Sequence, residues 1–413
     1  MFLFCIFAAA LVFFSYKSLR GGAAYLNYFK QELAKPESDY APFASVIAPC
    51  RGLDADLEKN LKALFAQRFP AYEILFVVDS ETDAAVPTIK KLIDSNLKTQ
   101  RLTPGVQHSK LIIAGKARAE GQKVHNLREA VLHVSEKSEI FVFVDSDARP
   151  SKQWLRHLVA PLADETVGAA TGYRWFVQRR GGLATHLRCV WNASIASALG
   201  ANRKSNFCWG GSMALRRATF EKIGMREKWR GTASDDFAVT RALKENDLEI
   251  HFVPRALTAS VEDCSFKELF EFTTRQMKIT RVYAAHLWKN SFIGSLLFVL
   301  VWLWGATILF LYPVNSVSFW MAAASLSFVF AFSTGKSYLR LKAVRLVLKD
   351  YEKELRNQFF WQNMLWLVTP VLFLYNALCA LASRRICWRG ITYILKSPDS
   401  TEIVENEKHR QTY

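Results

Sequence analysis

The seven cysteines, at positions 5, 50, 189, 208, 264, 379 and 387, form no CxxC pair. This spacing excludes a disulfide framework and a thiolate metal cluster, and reduced thiols suit a cytosolic compartment. Eight scattered histidines lack the paired spacing of a zinc site. No GxGxxG follows the first predicted strand and no GxxxxGK[ST] occurs, which excludes a Rossmann dinucleotide site and a P-loop. No Ser-His-Asp or Cys-His arrangement offers a covalent nucleophile. Charge is missing altogether from three long stretches, residues 1–16, 290–335 and 357–383. Net charge is nevertheless +17, from 54 Lys+Arg against 37 Asp+Glu. A nucleic-acid partner would need a basic face with a recognition motif, and the chain carries none.

The uncharged runs read as membrane segments, since about 20 apolar residues cross a bilayer. Residues 1–16 read as an uncleaved anchor, lacking a basic n-region and a small-residue cleavage site. Residues 17–42 connect it to the middle of the chain as a helix lasting until Pro36. Residues 291–335 predict a transmembrane hairpin turning at Pro313-Val-Asn315, and 358–383 a third C-terminal membrane segment containing Pro370. Basic residues flank these runs, with seven Lys/Arg against three acids between Lys336 and Arg356. Such an excess marks the cytoplasmic side. The 336–357 segment and the large middle domain are therefore expected in the cytosol, and 384–413 as a polar tail. A third crossing would put Arg384, Arg385 and Arg389 outside, against the charge rule, unless the last segment is re-entrant.

Between the apolar ends, residues 43–263 read as one α/β domain. Strands are expected at 44–48, 74–78, 110–114 and 141–144, alternating with helices from Asp54, over 87–95 and over 121–134. That alternation predicts a doubly wound, mostly parallel sheet. Beyond it come a helix over 154–163, a strand over 167–176, an amphipathic helix over 186–199, and a strand over 212–215. The 186–199 helix lies on the bilayer surface or faces a protein core. A helix is expected from Thr232 to Leu243, a strand over 250–253, and a basic amphipathic interfacial helix over 264–290. The stretch FVFVDSDARP (141–150) is central. Its apolar run reads as a buried strand that delivers Asp145 and Asp147 to the sheet edge where α/β proteins bind ligands. Two carboxylates one residue apart either present hard oxygens to Mg2+ or Mn2+ or form an acidic turn closed by Pro150. Gly210 and Gly211 let backbone approach a ligand or make a tight turn. Asp235 and Asp236 either carry chemistry or cap a helix behind Ser234.

Taken in order, SVIAPCRGLDADLEKNL (45–61), AYEILFVVDS (71–80), GQKVHNL (121–127), FVDSDARP (143–150), WGGSMALRR (209–217), SDDFAVTRAL (234–243) and RQMKITR (275–281) resemble the membrane-bound family-2 type glycosyltransferases. They are most similar to the ceramide glucosyltransferase group. The resemblance spans about residues 43–290. Two positions depart from the pattern: Lys278 and Ile279 replace an Arg-Trp pair, which keeps charge but removes the planar guanidinium fork and an aromatic ring. Asp235 stands where many relatives carry Glu.

The resemblance implies a GT-A type fold and an inverting transfer of a hexose from a nucleotide-sugar, expected to be UDP-linked. The acceptor would be the hydroxyl of a membrane lipid, ceramide-like, diacylglycerol or hopanoid. Pro49, Arg51, Asp79, Lys123, Asn126 and Asp145 would hold the nucleotide-sugar. Asp145 and Asp147 would hold the Mg2+ or Mn2+, and Trp209, Gly210 and Gly211 would face the acceptor. Asp236 would act as general base beside Asp235, and Arg275 and Lys278 would pair with the departing phosphates. Competing readings are a processive polysaccharide synthase and an inactive membrane-tethered binder of nucleotide or lipid.

Overall fold

The computed structural model describes residues 1–99 and 105–404. The chain divides into two contact units, each assembled from separate pieces of sequence. One comprises Glu32–Arg179, Ala198–Glu262 and the C-terminal segment from Arg384; the other comprises Met1–Gln31, Arg180–Ser197 and Asp263–Ser383.

Residues 44–261 give the first unit nine of its described strands: β1 (Ala44–Pro49), β2 (Tyr72–Val78), β3 (Val106–Ile113), β4 (Ile140–Val144), β5 (Val167–Thr171), β6 (Arg174–Val177), β7 (Ser212–Arg216), β8 (Glu249–Phe252) and β9 (Thr258–Val261). Seven form one sheet in the order β3-β2-β1-β4-β7-β5-β8. The β1, β2, β3 and β4 pairings are parallel, β7 runs antiparallel to both neighbours, and β5 pairs parallel with β8. β1, β2 and β4 are buried at every position, as expected of strands covered on both faces. Ile47, Leu75, Phe143, Met213, Val239 and Ile250 contribute to one core on the helix-covered side. The fold is of the GT-A type: a mostly parallel sheet with flanking helices whose fourth strand ends on Asp145-Ser-Asp147.

The expected 167–176 strand is broken. A Cβ at Gly172 would lie 2.0 Å from the Ala256 carbonyl oxygen, while the Gly172 N–H donates to Ser212 O at 2.8 Å. The chain turns there into β6, which pairs with β9 in a separate two-stranded sheet; β9 is too short and mixed to stand out in the sequence. Asp54 does not start a helix either, since that helix begins at Leu57.

The expected polar tail is folded through residue 404. β10 (Arg385–Trp388), β11 (Ile391–Ser397) and β12 (Ser400–Val404) form an antiparallel three-stranded sheet. It buries Tyr393 and Leu395 and belongs to the same unit as the catalytic-type sheet.

In the second unit, anchor and connector are one helix, Phe2–Ala34. The interfacial helix ends at Tyr283, and after a break at Ala284 a second helix, Ala285–Leu311, starts earlier than the expected 291. The next helix, Val317–Arg345, runs well into the segment read as cytosolic. Phe2–Ala34, Ala285–Leu311 and Val317–Arg345 are each long and apolar enough to cross a membrane. The last expected segment is a pair, Lys349–Leu367 and Thr369–Ala382, bent by 59°. Pro370 sits in the first turn of the second helix, where its missing N–H costs nothing. The helix expected near 186–199 spans Leu183–Ala196 and is buried in protein along most of its length. Trp191 stacks on Phe373 with centroids 5.1 Å apart and meets Phe272 edge-on, so the core-facing alternative holds there.

Candidate active site

Three segments of the first unit converge at the carboxyl end of the sheet. β4 ends on Asp145, Ser146 and Asp147. The loop before β7 carries Trp209, Gly210 and Gly211. The helix Asp235–Glu245 opens on Asp235 and Asp236.

Each segment is fixed by interactions outside the site. Trp229, fully buried with Phe143 and Phe220 at centroid distances of 5.5 and 5.3 Å, donates its indole N–H to the Asp235 carbonyl at 3.1 Å. The Trp209 N–H donates to Thr171 Oγ1 at 3.0 Å, and the Cys208 N–H to Thr240 Oγ1 at 2.9 Å. Ser234 takes the N-cap position, but its hydroxyl donates to Asp236 Oδ1 at 2.5 Å and makes no cap bond.

Lys123 links two of the three segments. Its Nζ lies 2.7 Å from Asp145 Oδ1 and 3.1 Å from Asp235 Oδ2. Arg174 forks the other pair, with Nη2 3.1 Å from Asp145 Oδ2 and Nη1 3.2 Å from Asp147 Oδ2. The Arg174 guanidinium also lies 4.9 Å from the Trp209 ring centroid, within cation–π range. The glycines at 210 and 211 are required by this crowding. A Cβ at Gly210 would meet Asp235 Oδ2 at 2.0 Å, and one at Gly211 would meet Trp209 Cζ2 at 2.2 Å and Asp145 Oδ2 at 2.6 Å.

The charges shift one another. Burial acts to raise the Asp145 pKa, but Lys123 and Arg174 outweigh it and hold the carboxyl below its ordinary value. Burial pushes Asp147 up to about 6 against the pull of Arg174, with Asp145 adding to the rise. Burial also pushes Asp235 up to about 6, opposed by Lys123 and reinforced by Asp236 and Asp145. Burial alone would favour a neutral Lys123, yet Asp145, Asp235 and Asp236 together raise it above the usual lysine value. Asp236, half-buried, accepts from the Phe237 N–H at 2.8 Å and the Gly210 N–H at 3.4 Å.

Of the remaining expected residues, Pro49 ends β1, and Arg51 pairs through Nη1 with Asp79 just beyond β2. Asn126 is buried on the helix that carries Lys123 and accepts from Gln122 Nε2 at 2.8 Å. Arg275 and Lys278 lie on the Phe266–Tyr283 helix of the other unit. Arg174 was not expected from the sequence; an arginine within the apolar run TGYRWFV, just after a strand-breaking glycine, is the signal that marks it. Asp54 was read as a helix start, but its Oδ2 accepts from Ser146 Oγ at 2.5 Å, beside the carboxylate pair.

Among the described residues no three His, Cys, Asp or Glu side chains gather as a complete metal cage. Mg2+-type sites nonetheless use one or two carboxylates with substrate phosphates completing the shell. Asp147 Oδ1 is buried with no hydrogen-bond partner. An orphan carboxylate oxygen beside a second carboxylate fits such an ion.

The glycosyl transferase family 21 profile matches residues 2–401. The chain belongs to glycosyl transferase family 21. The family 21 chain is 31% identical over 134 residues to ceramide glucosyltransferase of Candida albicans, a match covering 31% of this chain and 24% of that protein. It is 24% identical over 210 residues to ceramide glucosyltransferase 1 of Caenorhabditis elegans, covering 49% of this chain and 42% of that one. These matched stretches span less than half of the curated relatives' lengths. Among solved structures, mannosyltransferase PcManGT from Pyrobaculum calidifontis, in complex with GDP-Man and Mn2+, aligns over 90% of this family 21 chain and 99% of its own, at 19% identity and a TM-score of 0.43. Glucosyl-3-phosphoglycerate synthase from Mycobacterium tuberculosis, with Mn2+ and UDP-glucose, aligns over 62% and 82%, at 14% identity and a TM-score of 0.35.

Proposed function

We propose that this protein transfers a hexose, with inversion, from a nucleotide-sugar of the UDP type to the hydroxyl of a membrane lipid such as a ceramide, diacylglycerol or hopanoid. The observation that carries the reading is the meeting of Asp145, Lys123 and Asp235 through contacts of 2.7 and 3.1 Å beside Asp236 and Arg174. It joins the strand end of a nucleotide-sugar site to the helix start expected to hold the base.

Asp236 is the general base. Its Oδ1 accepts from Ser234 and Phe237 and its Oδ2 more loosely from Gly210, which orients the carboxylate and leaves acceptor capacity on Oδ2. The acceptor oxygen bonds to the anomeric carbon as its proton passes to Asp236. The carbon–oxygen bond to the diphosphate breaks, and its electron pair leaves with the nucleotide. Asp235 holds Lys123 in place, and Lys123 in turn orients Asp145 toward the sugar. Arg51 and Asp79 sit at the nucleoside end. Asp145 and Asp147 would hold Mg2+ or Mn2+, which when bound supplies Lewis-acid neutralisation of the diphosphate. Trp209 borders the acceptor side, and Arg275 and Lys278 would meet departing phosphate or lipid headgroups.

We infer the membrane topology from parity. Residues 384–404 fold into the unit that contains 32–179, so an even number of crossings separates them. With helices 285–311 and 317–345 taken as two crossings, this supports a re-entrant 349–382 pair. The basic Arg384, Arg385 and Arg389 then lie with the catalytic unit on the cytoplasmic face, as the charge rule asks.

The test is to incubate membranes carrying the protein with radiolabelled UDP-sugars, Mn2+ or Mg2+, and a lipid panel. One organic-extractable product supports the proposal. A long polymer supports a processive synthase, and binding without turnover an inactive binder. Asp236→Asn is expected to lower transfer by about a thousandfold, as for loss of a general base, with UDP-sugar affinity retained; wild-type turnover would refute the assignment.

A further inference from the structure

We propose that the C-terminal sheet is part of the donor site and that Arg389, at the tip of its first turn, binds the diphosphate of the nucleotide-sugar. The inference rests on the donor reading above and adds to it a residue and an element that lie far down the chain.

The turn between β10 and β11 is a two-residue hairpin in which both Arg389, at φ 51°, and Gly390, at φ 78°, take left-handed backbone. Such turns favour Asn, Asp or Gly at both places. An arginine adopts this conformation at a steric cost, because its Cβ crowds the following carbonyl, and residues held this way cluster at functional sites. Its surroundings fix it from two directions. The guanidinium pairs with Asp54, whose other oxygen accepts from Ser146 between the two carboxylates of β4's end. The Arg389 carbonyl accepts from Arg51 Nε at 3.1 Å, and Arg51 in turn pairs with Asp79.

The rest of the sheet is fastened to the remaining site segments. The Tyr393 hydroxyl accepts the Gln122 N–H at 3.3 Å, one residue before Lys123. Asp399 pairs with Arg241, Nη1 to Oδ2 at 3.2 Å, on the helix that opens with Asp235 and Asp236. The Asp399 carbonyl oxygen would lie 2.3 Å from a Cβ at Gly231, in the loop leading to that helix. One small sheet therefore touches the Arg51 loop, the Lys123 helix and the approach to Asp235.

Charge supplies the ligand. Lys123 and Arg174 are each held between two carboxylates. The Arg389 side chain, by contrast, is 30% exposed above an Asp54 that is only 9% exposed. A part-exposed guanidinium beside the carboxylate pair is suited to forked contact with phosphate oxygens.

The experiment measures binding of UDP, GDP and UMP to the full chain in lipid nanodiscs, for wild type, Arg389→Ala, Arg389→Gln and Arg389→Lys. Loss of a charge-assisted phosphate contact should weaken UDP or GDP binding by about tenfold or more in the Ala and Gln variants. UMP should change less than about twofold and Lys should recover most of the loss. The Gln variant gives the same discrimination if Ala does not fold. Equal weakening of UMP and UDP makes the sheet a mere prop and overturns the diphosphate assignment, as does unchanged UDP affinity. A wild-type chain that binds neither UDP nor GDP overturns the donor reading itself, whereas tight wild-type binding indifferent to Arg389 overturns this inference alone.

Discussion

Replacing Gly210 with alanine adds one methyl group at the most crowded point of the site. The new Cβ would lie 2.0 Å from Asp235 Oδ2 and 2.9 Å from Lys123 Nζ. A comfortable heavy-atom contact is about 3.5 Å, so the carboxylate must retreat by more than an ångström. The backbone of Gly210 has little room to move instead, since its neighbour Gly211 faces Trp209 and Asp145 just as closely. The Lys123–Asp235 pair, now 3.1 Å, would open beyond 4 Å. With an effective dielectric of about 20, that takes its attraction from roughly 5 to roughly 4 kcal/mol, close to a tenfold effect by itself. Misplacement of reacting groups by about 1 Å adds up to about a hundredfold. We expect transfer from UDP-sugar to lipid to fall by about 10- to 100-fold while the protein still folds. The assay is initial-rate transfer in nanodiscs, paired with thermal melting. Gly200→Ala, where an added Cβ meets nothing within 4 Å, should be indistinguishable from wild type. Transfer by Gly210→Ala within about twofold of wild type would refute the geometry argued for Lys123 and Asp235.

Two further outcomes follow from the charge arrangement. Because burial raises Asp235 to about 6 in the folded chain, against about 3.9 unfolded, the folded state binds the extra proton between those values. Stability from this group is present below about pH 4 and lost as pH rises through 6, by roughly 3 kcal/mol over the window. Melting curves from pH 4.5 to 7.5 should therefore show wild type losing ground to Asp235→Asn as pH rises, and a parallel pair of curves would contradict the shift. Arg174→Met removes the cation shared by Asp145 and Asp147 and should tighten Mn2+ binding by about tenfold. Calorimetry showing unchanged or weaker Mn2+ affinity would mean that the two carboxylates are not the metal ligands.

The central strands and the two acidic motifs were legible because local sequence determines them. The apolar run at 140–144 is buried at every position, and Asp145 and Asp147 fall where such a strand must end. The meeting of Asp145 and Asp235 on Lys123 was partly legible, through the ordered motifs. Arg174 was not, because its role depends on Gly172 breaking the strand against a carbonyl more than eighty residues later. The C-terminal sheet was not legible either. Ile394 between Tyr393 and Leu395 blurs the alternation that would mark a half-buried strand, and the partner of the Tyr393 hydroxyl, Gln122, lies 271 residues away. Helix boundaries near the membrane were misjudged at residues 283–291 and 336–345. There the helix breaks at Ala284 and the next one runs past Lys336 to Arg345, with Arg340, Leu341 and Val344 buried.

The order of synthesis carries a consequence. A ribosome releases the three strands at 385–404 after the membrane-directed helices of residues 2–382 have emerged. Domains generally mature as their own residues appear, yet the unit that begins at Glu32 has to wait for residues 385–404. A nascent chain stalled before that point would carry Asp79, Asp145, Asp147, Asp235 and Asp236 but lack the contacts that Arg389, Tyr393 and Asp399 make to the loops around them.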